Sequence, residues 1–146
     1  MDATYTDFEK AFDKVPHKRL IQKLRSYNID DKIIKWIQSF LINMKQRVKV
    51  NGKYSSWESV ISGIPQGTIL GPILFIIYIN DLPDMVEGRA NMSLYAGDAK
   101  LYRTIKASND SQELQVALNG VKDWCDRWLL KLNVNKCKYL TIQYSW

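Results

Sequence analysis

From Ile69 to Ile79 the chain reads ILGPILFIIYI, eleven residues without a charge. A helix needs about 20 apolar residues to cross a bilayer, so this run is too short to span one. It is therefore expected to form an interior helix, buried, ending near Ile79, with Thr68 as its cap. The rest of the chain must build a core around it. At 146 residues, with 46% hydrophobic and 25% charged side chains, the chain can do so. That composition argues against wholesale disorder. No Pro/Gly/Ser-rich linker, internal repeat or low-complexity tract divides the sequence, which reads as one domain.

The flanking patterns set the fold class. An extended piece is predicted near Ala3 to Phe8, and Pro16 should interrupt any early helix. Leu20, Ile21, Leu24 and Tyr27 fall at helical spacing, as do Ile33, Ile34, Trp36, Ile37, Phe40 and Leu41 after Asp30 and Asp31. In RVKVNGKYSSW, Val48 and Val50 alternate with Arg47 and Lys49, and Asn51-Gly52 marks a hairpin. SGIPQG reads as a loop, and NDLPD closes the apolar helix. SLYAGDAKLY, residues 93 to 102, reads as a hairpin with Gly97 and Asp98 at its tip. A long helix follows from Ser111 to Leu130 through Leu114, Leu118, Val121, Trp124, Cys125 and Trp128, and the tail KCKYLTIQY alternates like a strand that joins the sheet. Helices and strands are interspersed without regular βαβ alternation, so the expected class is α+β, an antiparallel sheet packed on helices.

Charge and cysteine content narrow the partners. A formal net charge of +6 and a pI of about 9.3 favour polyanions, either nucleic acid or an anionic surface. The basic residues are scattered, which equally suits a solvated positive face. Cys125 and Cys137 form neither a CxxC pair nor a ligand set with the single His17, so free thiols in a reducing compartment are expected. The opening MDATYTDFEK is polar and partly acidic, unlike a secretory signal.

Three stretches carry candidate chemistry. TDFEKAFDKVPH sets Asp7 and Asp13 around Phe12; a bland alternative is a helix capping box of Thr6 and Glu9. In SGIPQGTILG, Gly63, Gly67 and Gly71 permit close backbone approach, and Gln66 between Pro65 and Gly67 is an amide that a turn into a core helix does not need. The hairpin adds Asp98, which alone is ordinary turn chemistry.

Taken in order, these stretches resemble the palm of reverse transcriptases, most closely those of non-LTR (LINE-like) retrotransposons. Asp7 to Asp13 matches that family's D-x-x-x-A-F-D motif, and Gly63 to Gly67 its G-x-P-Q-G loop, extended by LGPILFIIYINDLP. Tyr95-Ala96-Gly97-Asp98 stands where the family has Y-A-D-D, and DWCDRWLLKLNVNKCKYLTI is similar to the segment that follows. The resemblance covers about Tyr5 to Ile142. It implies a partial palm domain over residues 1–146, with fingers and thumb largely absent, as in a fragment or decayed copy with no endonuclease of its own.

The resemblance also implies a set of roles. Asp7 and Asp98 would be metal ligands and catalytic residues, in a centre that normally holds two Mg²⁺ ions about 4 Å apart. The carbonyl of Phe8 would assist Asp7, and Phe12 would lie under the incoming sugar and disfavour a ribose. Pro65, Gln66 and Gly67 would meet template and nucleotide, and Lys136 is a candidate general acid for the leaving pyrophosphate. The implied partners are an RNA template, a DNA primer and deoxynucleotides, with no membrane, and the implied location is intracellular, in the nucleus. Gly97 in place of the first aspartate is expected to weaken one metal site without unfolding the chain. The alternative is a non-catalytic nucleic-acid-binding remnant; a small RNA-recognition module lacks its aromatic-rich strands here. The polymerase reading requires Asp7 and Asp98 to share one cleft.

Overall fold

The first six residues after Met1 form a strand, β1 (Asp2–Asp7), and strands from the other end of the sequence pair with it on both sides. A computed structural model describes residues 1–142, and within it the chain divides into two compact units, residues 1–11 with 78–142 and residues 12–77.

In the first unit, the hairpin β6 (Asn91–Tyr95) and β7 (Asp98–Arg103) lies against β1, and β8 (Lys138–Thr141) against its other edge. The result is a four-stranded antiparallel sheet of order β6-β7-β1-β8. Register is tight: Asp7 stands opposite Asp98, Tyr5 opposite both Lys100 and Lys138, and Tyr95 opposite Asp98. Because strand side chains alternate, one face collects Ala99 and Leu101, which are buried, while Tyr5, Asp7, Asp98 and Lys100 share the other. Helix α4 (Ser108–Trp128) buries Leu114, Ala117, Val121, Trp124 and Cys125. Side chains the size of Leu114 and Val121 each contribute about 1.5–3 kcal/mol when fully withdrawn from water. The Trp124 ring packs 6.2 Å from Phe8 and 6.1 Å from Tyr78, and its indole nitrogen donates to Asp81 at 2.8 Å.

The second unit holds α1 (His17–Ser26) and α2 (Asp31–Leu41), which pack together; α1 buries Leu20, Ile21 and Leu24, and α2 buries Ile34, Ile37 and Leu41. Pro16 stands just before α1, its carbonyl accepting from the Leu20 amide at 3.0 Å, and Asp30 caps α2 by accepting from the Lys32 amide at 2.8 Å. Two short ladders follow, β2 (Lys45–Gln46) with β5 (Glu58–Ser59) and β3 (Lys49–Val50) with β4 (Lys53–Tyr54). Asn51 at φ 48° and Gly52 at φ 78° make the turn between β3 and β4, the left-handed pair this dipeptide favours.

Helix α3 (Leu70–Ile79) begins where Thr68 Oγ1 accepts from the Gly71 amide at 3.0 Å, as its cap role requires. It is not buried all round. Leu74, Phe75, Tyr78 and Ile79 are covered, but Ile73 and Ile76 are exposed. An all-apolar run has no polar face, so its pattern cannot reveal which side meets solvent.

Four further expectations are corrected. Thr6 and Glu9 form no capping box: Thr6 lies in β1, with its hydroxyl donating to the Ala99 carbonyl at 3.1 Å. The tip of the β6–β7 turn is Ala96-Gly97, and Asp98 already belongs to β7. The long helix starts at Ser108 and stops at Trp128, because Leu129 takes a left-handed φ of 60°. In the tail the strand covers Lys138–Thr141; Gln143 and Tyr144 lie outside the described residues.

Candidate active site

Two carboxylates meet on the open face of the first unit's sheet. Asp7 ends β1 and Asp98 begins β7, directly across the ladder, so both side chains leave the sheet on the same side. The pairing is locked locally: the Phe8 amide donates to the Gly97 carbonyl at 2.9 Å, the Glu9 amide to Lys131 at 2.8 Å, and the Asn133 amide to the Asp7 carbonyl at 2.7 Å. This last pair of bonds carries the segment 131–136 over the end of β1. It places Lys136, in the 3₁₀ turn Val134–Lys136, with its Nζ 3.4 Å from Asp7 Oδ2.

Together these groups line an open cleft of about 510 Å³, shared with Tyr5, Ser93, Tyr95, Lys100 and Lys138. Its electrostatics are mixed. Like charges directly opposite on a ladder repel, and here three lysines surround the carboxylates. The Lys100 ammonium also lies 5.3 Å over the Tyr5 ring and 5.2 Å over the Tyr102 ring. Phe8 contributes differently from its acidic neighbour: its ring is buried against Trp124.

The remaining candidate residues belong to the second unit. Phe12 stacks on Phe75 with ring centroids 4.4 Å apart, and its carbonyl accepts from the Ile64 amide at 2.8 Å. Gln66 Nε2 donates to Asp13 Oδ1 at 3.1 Å, tying the PQG loop to the segment after Phe12. Gly63, at φ 95°, presses so closely on Asp13 that a Cβ there would lie 2.7 Å from its carbonyl oxygen. The His17 ring bonds the Gly63 carbonyl at 2.8 Å. By contrast Gly67, at φ 81°, faces open space: a Cβ there would meet no described atom within 4 Å. Pro65 is half-buried, and its carbonyl accepts from the Thr68 hydroxyl at 2.9 Å. Sequence reasoning missed His17 and Asp13 as the groups that hold this loop; the spacing of two polar side chains 46 and 53 residues from their partners gave no local signal.

As a metal site the donor set is short. Among the described residues no group of three or more His, Cys, Asp or Glu side chains gathers. Asp7 and Asp98 supply hard oxygen ligands suited to one divalent ion, but position 97 carries no side chain, and a Cβ there would stand 2.9 Å from that of Ala11. Two carboxylates are fewer than a two-ion centre needs.

The sheet thus sets an acidic residue of one interior strand opposite one from the following hairpin, and known proteins share this arrangement of the chain. Residues 3–146 match the family described as reverse transcriptase (RNA-dependent DNA polymerase), and the chain belongs to that family. It is 33% identical over 148 residues to a probable RNA-directed DNA polymerase from transposon BS of Drosophila melanogaster, with 92% of this chain and 16% of the relative covered. It is 31% identical over 144 residues to the RNA-directed DNA polymerase from mobile element jockey of Drosophila funebris, covering 94% of this chain and 16% of the relative. The chain thus spans about one-sixth of the length of these relatives. Among solved structures, apo telomerase from Candida tropicalis, truncated from its C-terminal domain, superposes with a TM-score of 0.74 at 15% identity, over 99% of this chain and 31% of that one. The fold is α+β, of the polymerase palm type. Among the described residues no helix is long and apolar enough to cross a membrane.

Proposed function

We propose that this chain is the palm segment of a non-LTR retrotransposon polymerase, built for RNA-directed DNA synthesis and catalytically impaired in this copy. The observation that carries the reading is the in-register pair of Asp7 and Asp98 in one cleft beside Gly97. Asp7 and Asp98 would hold a divalent ion, magnesium by family resemblance, with the Phe8 carbonyl beside them. Such an ion supplies Lewis-acid charge to the primer hydroxyl and the phosphoryl oxygens.

The chain's own groups do the rest. The Lys136 ammonium, within ion-pair distance of Asp7, would give a proton to a leaving pyrophosphate. In the second unit, Phe12 would exclude a sugar 2′-hydroxyl, and Pro65, Gln66 and the open Gly67 would meet template and nucleotide. An RNA template, a DNA primer and deoxynucleotides are the substrates on this reading, and the nucleus is its place of work.

With one ligand position empty of a carboxylate, Lewis-acid stabilisation worth about 3–5 kcal/mol is at stake, a rate loss on the order of 10²–10⁴. Primer extension tests it, with this segment exchanged into a jockey-type polymerase. The exchanged enzyme should be slow, and Gly97→Asp should recover at least a hundredfold. Robust metal-dependent synthesis by the Gly97 form would overturn the impairment, and absence of synthesis from both forms would argue for a second reading. That reading is a binding remnant, favoured by the Lys136 ammonium already seated on Asp7. It requires affinity for nucleic acid that falls steeply with salt and needs no divalent ion.

A further inference from the structure

The arm from Met44 to Val60 is one long hairpin. Its base closes where the Val60 amide donates to the Met44 carbonyl at 2.8 Å, and Lys45 pairs with Ser59 and Gln46 with Glu58. The Ser55 amide then donates to Val48 at 2.9 Å, while the Val48 amide donates to the Ser55 hydroxyl at 2.9 Å. Beyond these bonds Lys49 faces Tyr54 and Val50 faces Lys53. Every residue from 45 to 59 is exposed. A two-stranded hairpin of this kind has no core to stabilise it, yet it displays Val48, Val50, Tyr54 and Trp57 at 63, 61, 53 and 57% exposure.

One face of the arm is organised. The Arg47 guanidinium lies 3.9 Å from the centre of the Tyr54 ring and 4.4 Å from that of Trp57, and Lys49 Nζ lies 5.1 Å from the Tyr54 ring. Two aromatic rings thus flank a cation, with a second cation one pleat further along. Lys45 and Lys53 add charge, so residues 45–59 hold four cations against the single carboxylate of Glu58. Half of the chain's formal +6 sits on this arm.

We infer that the arm is a stacking platform for single-stranded nucleic acid, with bases on Tyr54 and Trp57 and phosphates on Arg47, Lys49 and Lys53. Charge selects the occupant. A protein partner for an apolar hairpin would be matched by few charges, whereas a surplus of cations interleaved with aromatic rings fits a flexible polyanion that carries a π-face at every repeat. The inference rests on the proposed reading that the chain binds nucleic acid and names where a single strand would sit; neither carboxylate of the cleft belongs to the arm, so it stands whether or not the chain binds metal or extends a primer.

The test is fluorescence anisotropy of the whole chain with labelled dT₁₅ and rU₁₅ as probes. The double variant Tyr54→Leu/Trp57→Leu keeps strand-compatible apolar side chains and should weaken binding about 10- to 100-fold. Arg47→Ala/Lys49→Ala should lower the slope of log affinity against log salt by about 0.7 for each phosphate no longer neutralised. Trp36→Leu removes an exposed ring outside the arm and should leave affinity as it was. Circular dichroism checks each fold. Binding to dT₁₅ alone, rU₁₅ alone or both supports the platform and identifies its strand. Parent-like affinity in the Tyr54/Trp57 variant overturns it, as does an equal loss in Trp36→Leu. Dimers of the parent that dissolve in the Tyr54/Trp57 variant with oligonucleotide affinity intact would show the face to be a self-contact instead, and would overturn it too.

Discussion

A Cβ at position 97 would stand 2.9 Å from that of Ala11, and neither atom can swing away because each is fixed to its backbone. Placing an aspartate there therefore asks the β6–β7 turn to shift, besides adding a third negative charge near Asp7 and Asp98. Overpacking of this kind costs about 1–3 kcal/mol. Gly97→Asp should lose that much in urea unfolding, and Ala11→Gly in the same chain should recover part of it; an unchanged midpoint would mean that the turn adapts freely. The two thiols separate equally clearly. Cys125 is buried in α4, and withdrawal from water, chiefly, pushes its thiol up to about 12. Cys137 is half-buried at the surface turn, its thiol donating to the Asn133 carbonyl. Since the thiolate is the reactive form, iodoacetamide at neutral pH should label Cys137 in the native chain and both cysteines only after denaturation, as peptide mass mapping would record.

At the scale of elements, the start of α4 is held by one carboxylate. Asp110 accepts from the amides of Lys106 at 2.8 Å and Ala107 at 2.9 Å, and it pairs with Arg103 at 2.9 Å, joining the helix to the end of β7. These backbone bonds first, and the guanidinium after them, lower its pKa from 3.8 to about 2. A depressed carboxylate contributes stability above its unfolded value and loses it as pH falls through the folded one. The chain should therefore lose stability between about pH 4 and pH 2, and Asp110→Asn should flatten that part of the profile while lowering stability at neutral pH. Thermal midpoints across this window check it. This cap was hidden from sequence reasoning, which placed the helix start at Ser111: Asp110 works through residues before it, and its partner Arg103 ends a strand. Hairpins were more legible. Asn51-Gly52 and the β6–β7 pattern announced themselves because turn chemistry is local, and the two amphipathic helices because a buried stripe repeats every turn.

Across the whole molecule, what could not be read was long-range order. Nothing near Asp2–Asp7 indicates that it will be a central strand between β7 and β8, each over 90 residues away; only the motif order made the meeting of Asp7 with Asp98 foreseeable. The nearness of Lys136 to Asp7 likewise depends on the Asn133 amide reaching back across the chain. The same contrast between long-range and local bonding governs stability. Strand β1 is laddered on both edges, and its residues Ala3, Thr4 and Thr6 are buried, so its amides exchange only when the sheet opens. The Met44–Val60 arm has no buried residue from 45 to 59, so it can open alone. Hydrogen exchange should show the amides of β1 and β7 protected by several kcal/mol more than those of β3 and β4. Equal protection would mean that the arm is fixed by contacts other than its own ladder. Saturating dT₁₅ should slow exchange within the arm while β1 is unaffected, because a strand stacked on Tyr54 and Trp57 must leave before the hairpin can open.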